Sequence, residues 1–249
     1  MATGRFEFPS AAVGWLTAGS ERHAPMLVLS ATPKVPRLLA DAGFDVVVAV
    51  RDQDAAPRFA AVPGIRSVVA RAEALPFATY GIGTVVAYQS LNRFAPGLAM
   101  PELARVLHPQ GHIAVCYFVR DDSVPWVKRL VAMMREINPN AMSSDDLAQH
   151  QALTTSKYFP NPENKDFRVW MPISRTDLLA MIARQPEVGA LSTTERNKLL
   201  DTAGNIYDTT ANGGELRLPY QLRCWRAGVD HAEFTRPVRL ADAGLIISL

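Results

Sequence analysis

Thr84-Val-Val-Ala-Tyr-Gln-Ser-Leu-Asn-Arg-Phe94 and Glu102-Leu-Ala-Arg-Val-Leu-His-Pro-Gln-Gly-His-Ile-Ala-Val115 read as one strand–helix–strand unit. Residues 84–88 are an apolar, largely β-branched run of strand length. Leu103, Val106 and Leu107 recur at helical spacing and make the apolar stripe of a helix over 99–107. Pro109-Gln-Gly111 is a turn, and 112–118 is the next strand. A helix between two such strands lets them lie parallel, because a parallel pair needs a long crossover.

The same alternation runs outward from this unit. Residues 26–30 are a short apolar strand followed by Thr32-Pro33, a good helix start with Thr as cap and Pro at the first helical position. That helix, 33–42, stops at Gly43. Asp45-Val-Val-Val-Ala-Val50 has no polar residue beyond its first, the mark of a strand buried on both faces. A short helix over 53–61 and a strand over 67–70 complete the series. Strands separated by helices at this spacing imply a parallel sheet with helices on both faces, and right-handed crossovers set its winding.

Beyond residue 120 the pattern changes. A helix spans 124–137. Residues 138–166 form a polar insert punctuated by Pro and Asn, with one short helix at 144–150; so long a connection suggests a lid, a substrate loop or a partner surface. A strand follows at 167–171 and a helix at 174–183. Ser192-Thr-Thr-Glu195 is a capping box that opens a helix running to Tyr207. In 215–226, Leu216, Leu218, Tyr220, Leu222 and Cys224 alternate with mostly polar residues, as in an antiparallel strand with one exposed face. The expected organisation is a single domain over 1–227, including the 138–166 insert, and a tail over 228–249 that docks on its own domain or on a neighbour.

Composition narrows the function classes. The 249 residues are 48% hydrophobic, enough for one sizeable core. Lys and Arg total 26 against 24 Asp and Glu, a balance that argues against a nucleic-acid surface. The two cysteines, Cys116 and Cys224, have no metal-ligand spacing and make no disulfide framework, so reduced thiols are expected. The first residues lack the pattern of a signal peptide, and no apolar run is long enough to span a bilayer. A cytoplasmic setting is the expectation, with no metal site.

Three stretches carry a family resemblance: Ser67-Val-Val-Ala-Arg-Ala-Glu-Ala-Leu-Pro-Phe77, the 84–94 segment and the 102–115 segment. Together they resemble class I methyltransferases that use S-adenosylmethionine (SAM), of the small-molecule type 11 group. Gly4-Arg5-Phe-Glu-Phe-Pro9, Ala12-Val-Gly-Trp-Leu16 and Leu218-Pro-Tyr220 are similar to that family's lead-in, first helix and last strand. The resemblance implies a Rossmann-like α/β fold. Its seven-stranded sheet is mostly parallel, with an antiparallel last strand and helices on both faces.

The resemblance also implies where the cofactor chemistry belongs. In the family, the first strand runs into an acid and three glycines, a second acid takes the ribose hydroxyls, and a third takes the adenine amino group. A gapless overlay puts Leu27 at the first acid and Leu29, Ala31 and Pro33 at the glycines. Arg51 falls at the ribose acid and Arg71 at the adenine acid, followed by Ala72 and Glu73. Asp52, Asp54 and Glu73 stand close enough in sequence to return a carboxylate. Arg51 and Arg71 have two readings. They pair with Asp52, Asp54 or Glu73, or they join Lys34 in binding an anion at the start of the 33–42 helix.

After the 84–88 strand, Tyr88, Gln89, Ser90 and Asn92 occupy the family's substrate-facing positions; ordinary loop hydrogen bonds to backbone are the competing reading. His108 and His112 read as turn residues flanking Pro109 and Gly111. Tyr158, Phe159, Phe167 and Trp170 either line a pocket or anchor the insert. No nucleophile–base–acid set is legible, so no catalytic residue is assigned.

Two functions stay open. The first is a non-catalytic protein with a degraded SAM site and no cofactor, acting as a structural or regulatory partner or as a binder of another small molecule. Homodimers or a heteromeric protein partner fit this reading. The second is an active methyltransferase acting on a small molecule, with SAM as its cofactor.

Overall fold

A computed structural model describes residues 8–142 and 146–236, without the side chains of Asp146 and Leu147. Helix α1 (Ser10–Leu16) leads into β1 (Met26–Ser30), α2 (Lys34–Asp41) and β2 (Val46–Val50). A 3-10 turn (Gln53–Ala55), α3 (Ala56–Ala60), β3 (Ile65–Val69) and β4 (Ile82–Tyr88) follow. After a second 3-10 turn (Leu91–Arg93) come α4 (Pro96–Val106), β5 (Leu107–Arg120), α5 (Pro125–Ile137), α6 (Asp146–Thr154) and β6 (Glu163–Ile173). The remaining elements are α7 (Arg175–Ala183), α8 (Pro186–Gly189), α9 (Thr193–Ala211), β7 (Leu216–Gly228) and a 3-10 turn (His231–Phe234).

The seven strands form one sheet in the order β3-β2-β1-β4-β5-β7-β6. The first five are mutually parallel, and β7 runs antiparallel to both of its neighbours. This is the expected class I methyltransferase architecture with its reversed last strand. Every residue of β1 and β2 is buried, as required of parallel strands with helices on both sides.

Side-chain alternation sorts the core into two faces. Leu27, Leu29, Val47, Ala49, Val85, Ala87, Ile113 and Val115 pack with Leu103 of α4 and with Leu153 and Phe159 of the insert. On the opposite face, Met26, Val28, Val46, Val48, Val86 and Cys116 pack with Leu16, Leu39 and Phe59 of α1, α2 and α3. A third cluster joins α5, α7 and α9 around Met134, Ile182 and Tyr207.

Several boundaries differ from the sequence reading. The helix expected over 99–107 begins at Pro96, and Leu107 already belongs to β5. His112 is not a turn residue: it is buried in β5, opposite Thr84, and its Nε2 lies 3.0 Å from the Leu16 carbonyl. The sequence turn at 108–111 is instead an excursion within the strand, between the Ile82–Leu107 and Thr84–His112 pairs. The expected strand at 167–171 extends from Glu163 to Ile173, because all eleven residues find partners along β7.

The described part of the insert packs on the core. Helix α6 lies across β5 and the turn at 91–93, with Leu153 and Phe159 fully buried. Past β7, the His231 Nε2 lies 2.8 Å from the Ala104 carbonyl, and the Asp230 amide donates to the Tyr158 carbonyl at 2.8 Å. Residues 4–7 of the lead-in and 237–249 of the tail lie outside the described residues.

Candidate functional site

In open α/β sheets, ligands bind beyond the C-terminal strand ends where the strand order reverses. Here that point lies between β1 and β4. A cleft of about 410 Å³ opens there, within the size range of small-molecule sites. Ser30 and Ala31 line it from the end of β1, Ala49, Val50, Arg51 and Asp52 from the end of β2, and Ser90 from the end of β4. Arg58 and Phe59 of α3, with Arg93 and Phe94 after β4, complete its rim.

The loop from β1 to α2 turns without glycine. No described residue between Ser30 and Ala42 has a positive φ. The Ser30 hydroxyl donates to the Thr32 carbonyl at 2.8 Å and accepts from the Thr32 amide at 3.2 Å, closing the loop on itself. Pro33 then precedes α2 and has no amide to offer a ligand.

The overlay positions separate in space. Leu27 and Leu29 point down into the apolar core and not into the cleft. Leu29 therefore leaves the cleft open, and Leu27 is sealed in hydrocarbon. Ala31, Arg51 and Asp52 line the cleft. Asp52 precedes the 53–55 turn without capping it, and its carboxylate makes no hydrogen bond or ion pair with a described residue.

Arg71 stands apart from that lining. Its Nε lies 3.6 Å from Glu73 Oε2. Ala72 is buried, and the Glu73 carboxylate also accepts from the Ala95 amide at 3.0 Å. Burial raises the Glu73 pKa, but the Ala95 amide and the Arg71 charge outweigh it and hold the carboxyl below its ordinary value. Lys34, whose pKa is lowered by burial, lines a shallow groove with Phe8 and Arg37. The three cations Lys34, Arg51 and Arg71 are not brought together.

The four residues after β4 also divide. Tyr88 is buried between Phe8 and Phe118, and burial drives its hydroxyl pKa well upward. The buried Ser90 hydroxyl donates to the Leu29 carbonyl at 2.8 Å. Gln89 is exposed and sits in the left-handed region at φ 49°, a strained conformation for this residue type. Asn92 lines a separate groove with Phe94, Ala148 and Gln151.

Arg58 and Arg93 were not singled out in the sequence. Nothing local marks them, since they come to one cleft only because α3 and the 91–93 turn both border the C-terminal ends of the strands. Like Arg51, each is exposed, and its guanidinium forms no hydrogen bond or ion pair with a described residue. The cleft thus gathers three unpaired guanidinium groups and one carboxylate. Tyr158 and Phe159 anchor the insert on the core, while Phe167 packs on the opposite face. Trp170 is partly exposed, with Arg168 5.7 Å from its ring centre. Among the described residues, no group of three or more His, Cys, Asp or Glu side chains is placed to hold a metal, and no helix is long and apolar enough to cross a membrane.

The sequence profile of the methyltransferase domain matches residues 34–115. Over that segment the chain is similar to the methyltransferase domain, and its sheet has the class I methyltransferase fold. Uncharacterised methyltransferases of Mycobacterium tuberculosis and Mycobacterium bovis are each 26% identical to it over 233 residues, covering 90% of both chains. A protein described as a type II methyltransferase from Anaeromyxobacter dehalogenans has the same fold, with a TM-score of 0.69 and 17% identity. That superposition covers 90% of this chain and 97% of the other. Another fold relative, a methyltransferase from an antibiotic biosynthesis pathway of Anabaena variabilis, superposes with a TM-score of 0.56 and 13% identity over 86% of this chain and 94% of its own.

Four of the overlay positions now have a place in the structure. Leu27 is buried in the core, Arg51 lines the cleft, and Arg71 pairs with Glu73 outside the lining. Asp52 is the one carboxylate left at the rim.

Proposed function

We propose that this methyltransferase-fold protein does not use SAM, and that its cleft holds a different small ligand without methyl transfer. The observation that carries this reading is the charge of the cleft, with three unpaired arginines against Asp52. SAM is itself a cation, because its sulfonium adds a positive charge to a zwitterionic amino acid. A surplus of guanidinium groups repels it and faces its ribose hydroxyls with donors. Each unmatched polar contact costs about 1–3 kcal/mol, against roughly 8 kcal/mol for a micromolar ligand. The profile match also begins at Lys34, after the strand and loop where the resemblance places the first acid and the glycines.

One observation favours the second reading, an active methyltransferase. The cleft is open, and Asp52 stands at its rim in reach of a ribose. In that enzyme the chain's own contribution would be positioning of the methyl acceptor. Calorimetry with SAM and with S-adenosylhomocysteine separates the two. The expected result is no heat of binding at about 100 µM of either ligand, some hundredfold above a micromolar Kd; saturation near micromolar concentration would establish the enzyme reading instead.

A further inference from the structure

We infer that the cleft between β1 and β4 is a binding site for a nucleoside monophosphate, recognised through its phosphate by Arg51, Arg58 and Arg93. This rests on the reading that the cleft holds a ligand other than SAM.

Three observations lead to it. The first is the arginines themselves. Elsewhere in the molecule most arginines are engaged: Arg66 with Asp45, Arg105 with Glu102, Arg120 with Asp122, Arg168 with Asp121 and Arg175 with Asp208. Arg51, Arg58 and Arg93 come from three separate elements, have no partner among the described residues and border one cavity. Guanidinium groups in such a cluster favour an anion able to accept several hydrogen bonds at once, and phosphate does this best.

The second is size and lining. About 410 Å³ is more than inorganic phosphate needs, and part of the wall is Ala31, Ala49, Val50 and Phe94. Phe94 is half-buried and adds an aromatic side chain to the lining, the residue type on which a planar base stacks. The third is Asp52, an unpaired carboxylate within the same cleft. It suits a ligand that presents hydroxyl donors, as a ribose does. Charge, flat apolar body and hydroxyls together describe a nucleotide. A dianionic monophosphate also balances the surplus of three cations over one anion.

Calorimetry of the full chain at low salt provides the test, with AMP, GMP, CMP and UMP as probes and with adenosine and inorganic phosphate as controls. At least one monophosphate is expected to bind ten times or more tighter than both controls. Arg51→Gln, Arg58→Gln and Arg93→Gln should each weaken it about tenfold, as loss of a charge-assisted bond does, without shifting Tm, since all three are exposed. Arg196→Gln, on the exposed face of α9, should leave affinity unchanged. The inference is overturned if no monophosphate binds at millimolar concentration, if phosphate alone binds as well, or if the cleft variants bind like the parent protein. SAM titrated separately decides the earlier reading, and its result leaves the nucleotide result to stand or fall by itself.

Discussion

Glu102 of α4 accepts the Leu75 amide at 2.7 Å while its carboxylate is forked by Arg105, one helical turn on, at 2.7 and 2.8 Å. Arg105 in turn donates to the Phe77 carbonyl at 3.0 Å and the Leu75 carbonyl at 3.2 Å. These two residues belong to one of the three stretches that carry the family resemblance. Their work in this chain is to pin the 75–79 loop onto α4, so the resemblance there reports scaffold and not chemistry.

Removing Arg105 strips that loop of its latch and leaves a mostly buried Glu102 carboxylate without its cation. Arg105→Ala should lower stability by about 2–3 kcal/mol in chemical denaturation. Arg105→Lys should recover less than half of the loss, because an ammonium cannot fork a carboxylate. A loss under about 0.5 kcal/mol for the alanine variant, the level of an ordinary surface change, would refute the latch.

Acid should destabilise the fold in a predictable window. The Arg105 fork, with the Leu75 amide, holds Glu102 below its ordinary value of 4.5; bonds from Ser123 and Arg168 do the same for Asp121. Both groups take up protons more readily in the unfolded chain. Their stabilisation is therefore complete above pH 4.5 and is lost as pH falls through the lower native values. Melting curves from pH 5 to pH 2 should show this fall, and it should be shallower in Glu102→Gln.

His112 adds a second, milder dependence. Burial, with a smaller contribution from the Arg226 charge, keeps its imidazole below the ordinary value of 6.5 despite its bond to the Leu16 carbonyl. The unfolded chain accepts this proton first, so the contribution is whole above pH 6.5 and fades as pH drops below it. Comparing melting midpoints at pH 7.5 and 5.5 should show a smaller difference in His112→Gln than in the parent.

Cys116 and Cys224 stand directly opposite each other on β5 and β7, both buried as free thiols. Burial pushes the Cys224 thiol up to about 12 and Cys116 well above its usual range. A thiol that stays protonated is a poor nucleophile. Ellman's reagent at pH 8 should label neither cysteine in the native protein and both in guanidinium; rapid labelling of the native protein would contradict the packing.

Placing an acid at position 27 and at position 51, one at a time, should expose how different their surroundings are. Leu27→Asp places a carboxylate in sealed hydrocarbon and should cost more than about 3 kcal/mol. Arg51→Asp changes an exposed side chain and should move stability by less than about 0.5 kcal/mol. Similar costs for the two would mean that Leu27 does not face the core as described.

The fold was legible because its signals are local and repeated. The β-branched run at 46–50 marked a buried strand, and Ser192 with Glu195 marked the start of α9, where both halves of the capping box are formed. Strand β6 was cut short because its length is set by pairing with β7, which no local window contains. The site was half legible. Arg51 and Asp52 follow a recognisable strand, so their place at the cleft could be read from order alone. Arg58 and Arg93 sit on a five-residue helix and a 3-10 turn without a motif, and only tertiary convergence gives them meaning. Position in the overlay does not tell which way a strand residue faces, and the parity of Leu29 with Leu27 turns it into the core.

The insertion of β7 between β5 and β6 also orders how the molecule is made. As the nascent chain leaves the ribosome, β6 emerges with no strand to join, and β5 waits with a bare margin of amides and carbonyls. Only when the segment at 216–228 arrives can one strand zip both ladders together. Until then the polypeptide carries two open seams, and a transcript truncated ahead of that point would leave them ready to pair between molecules.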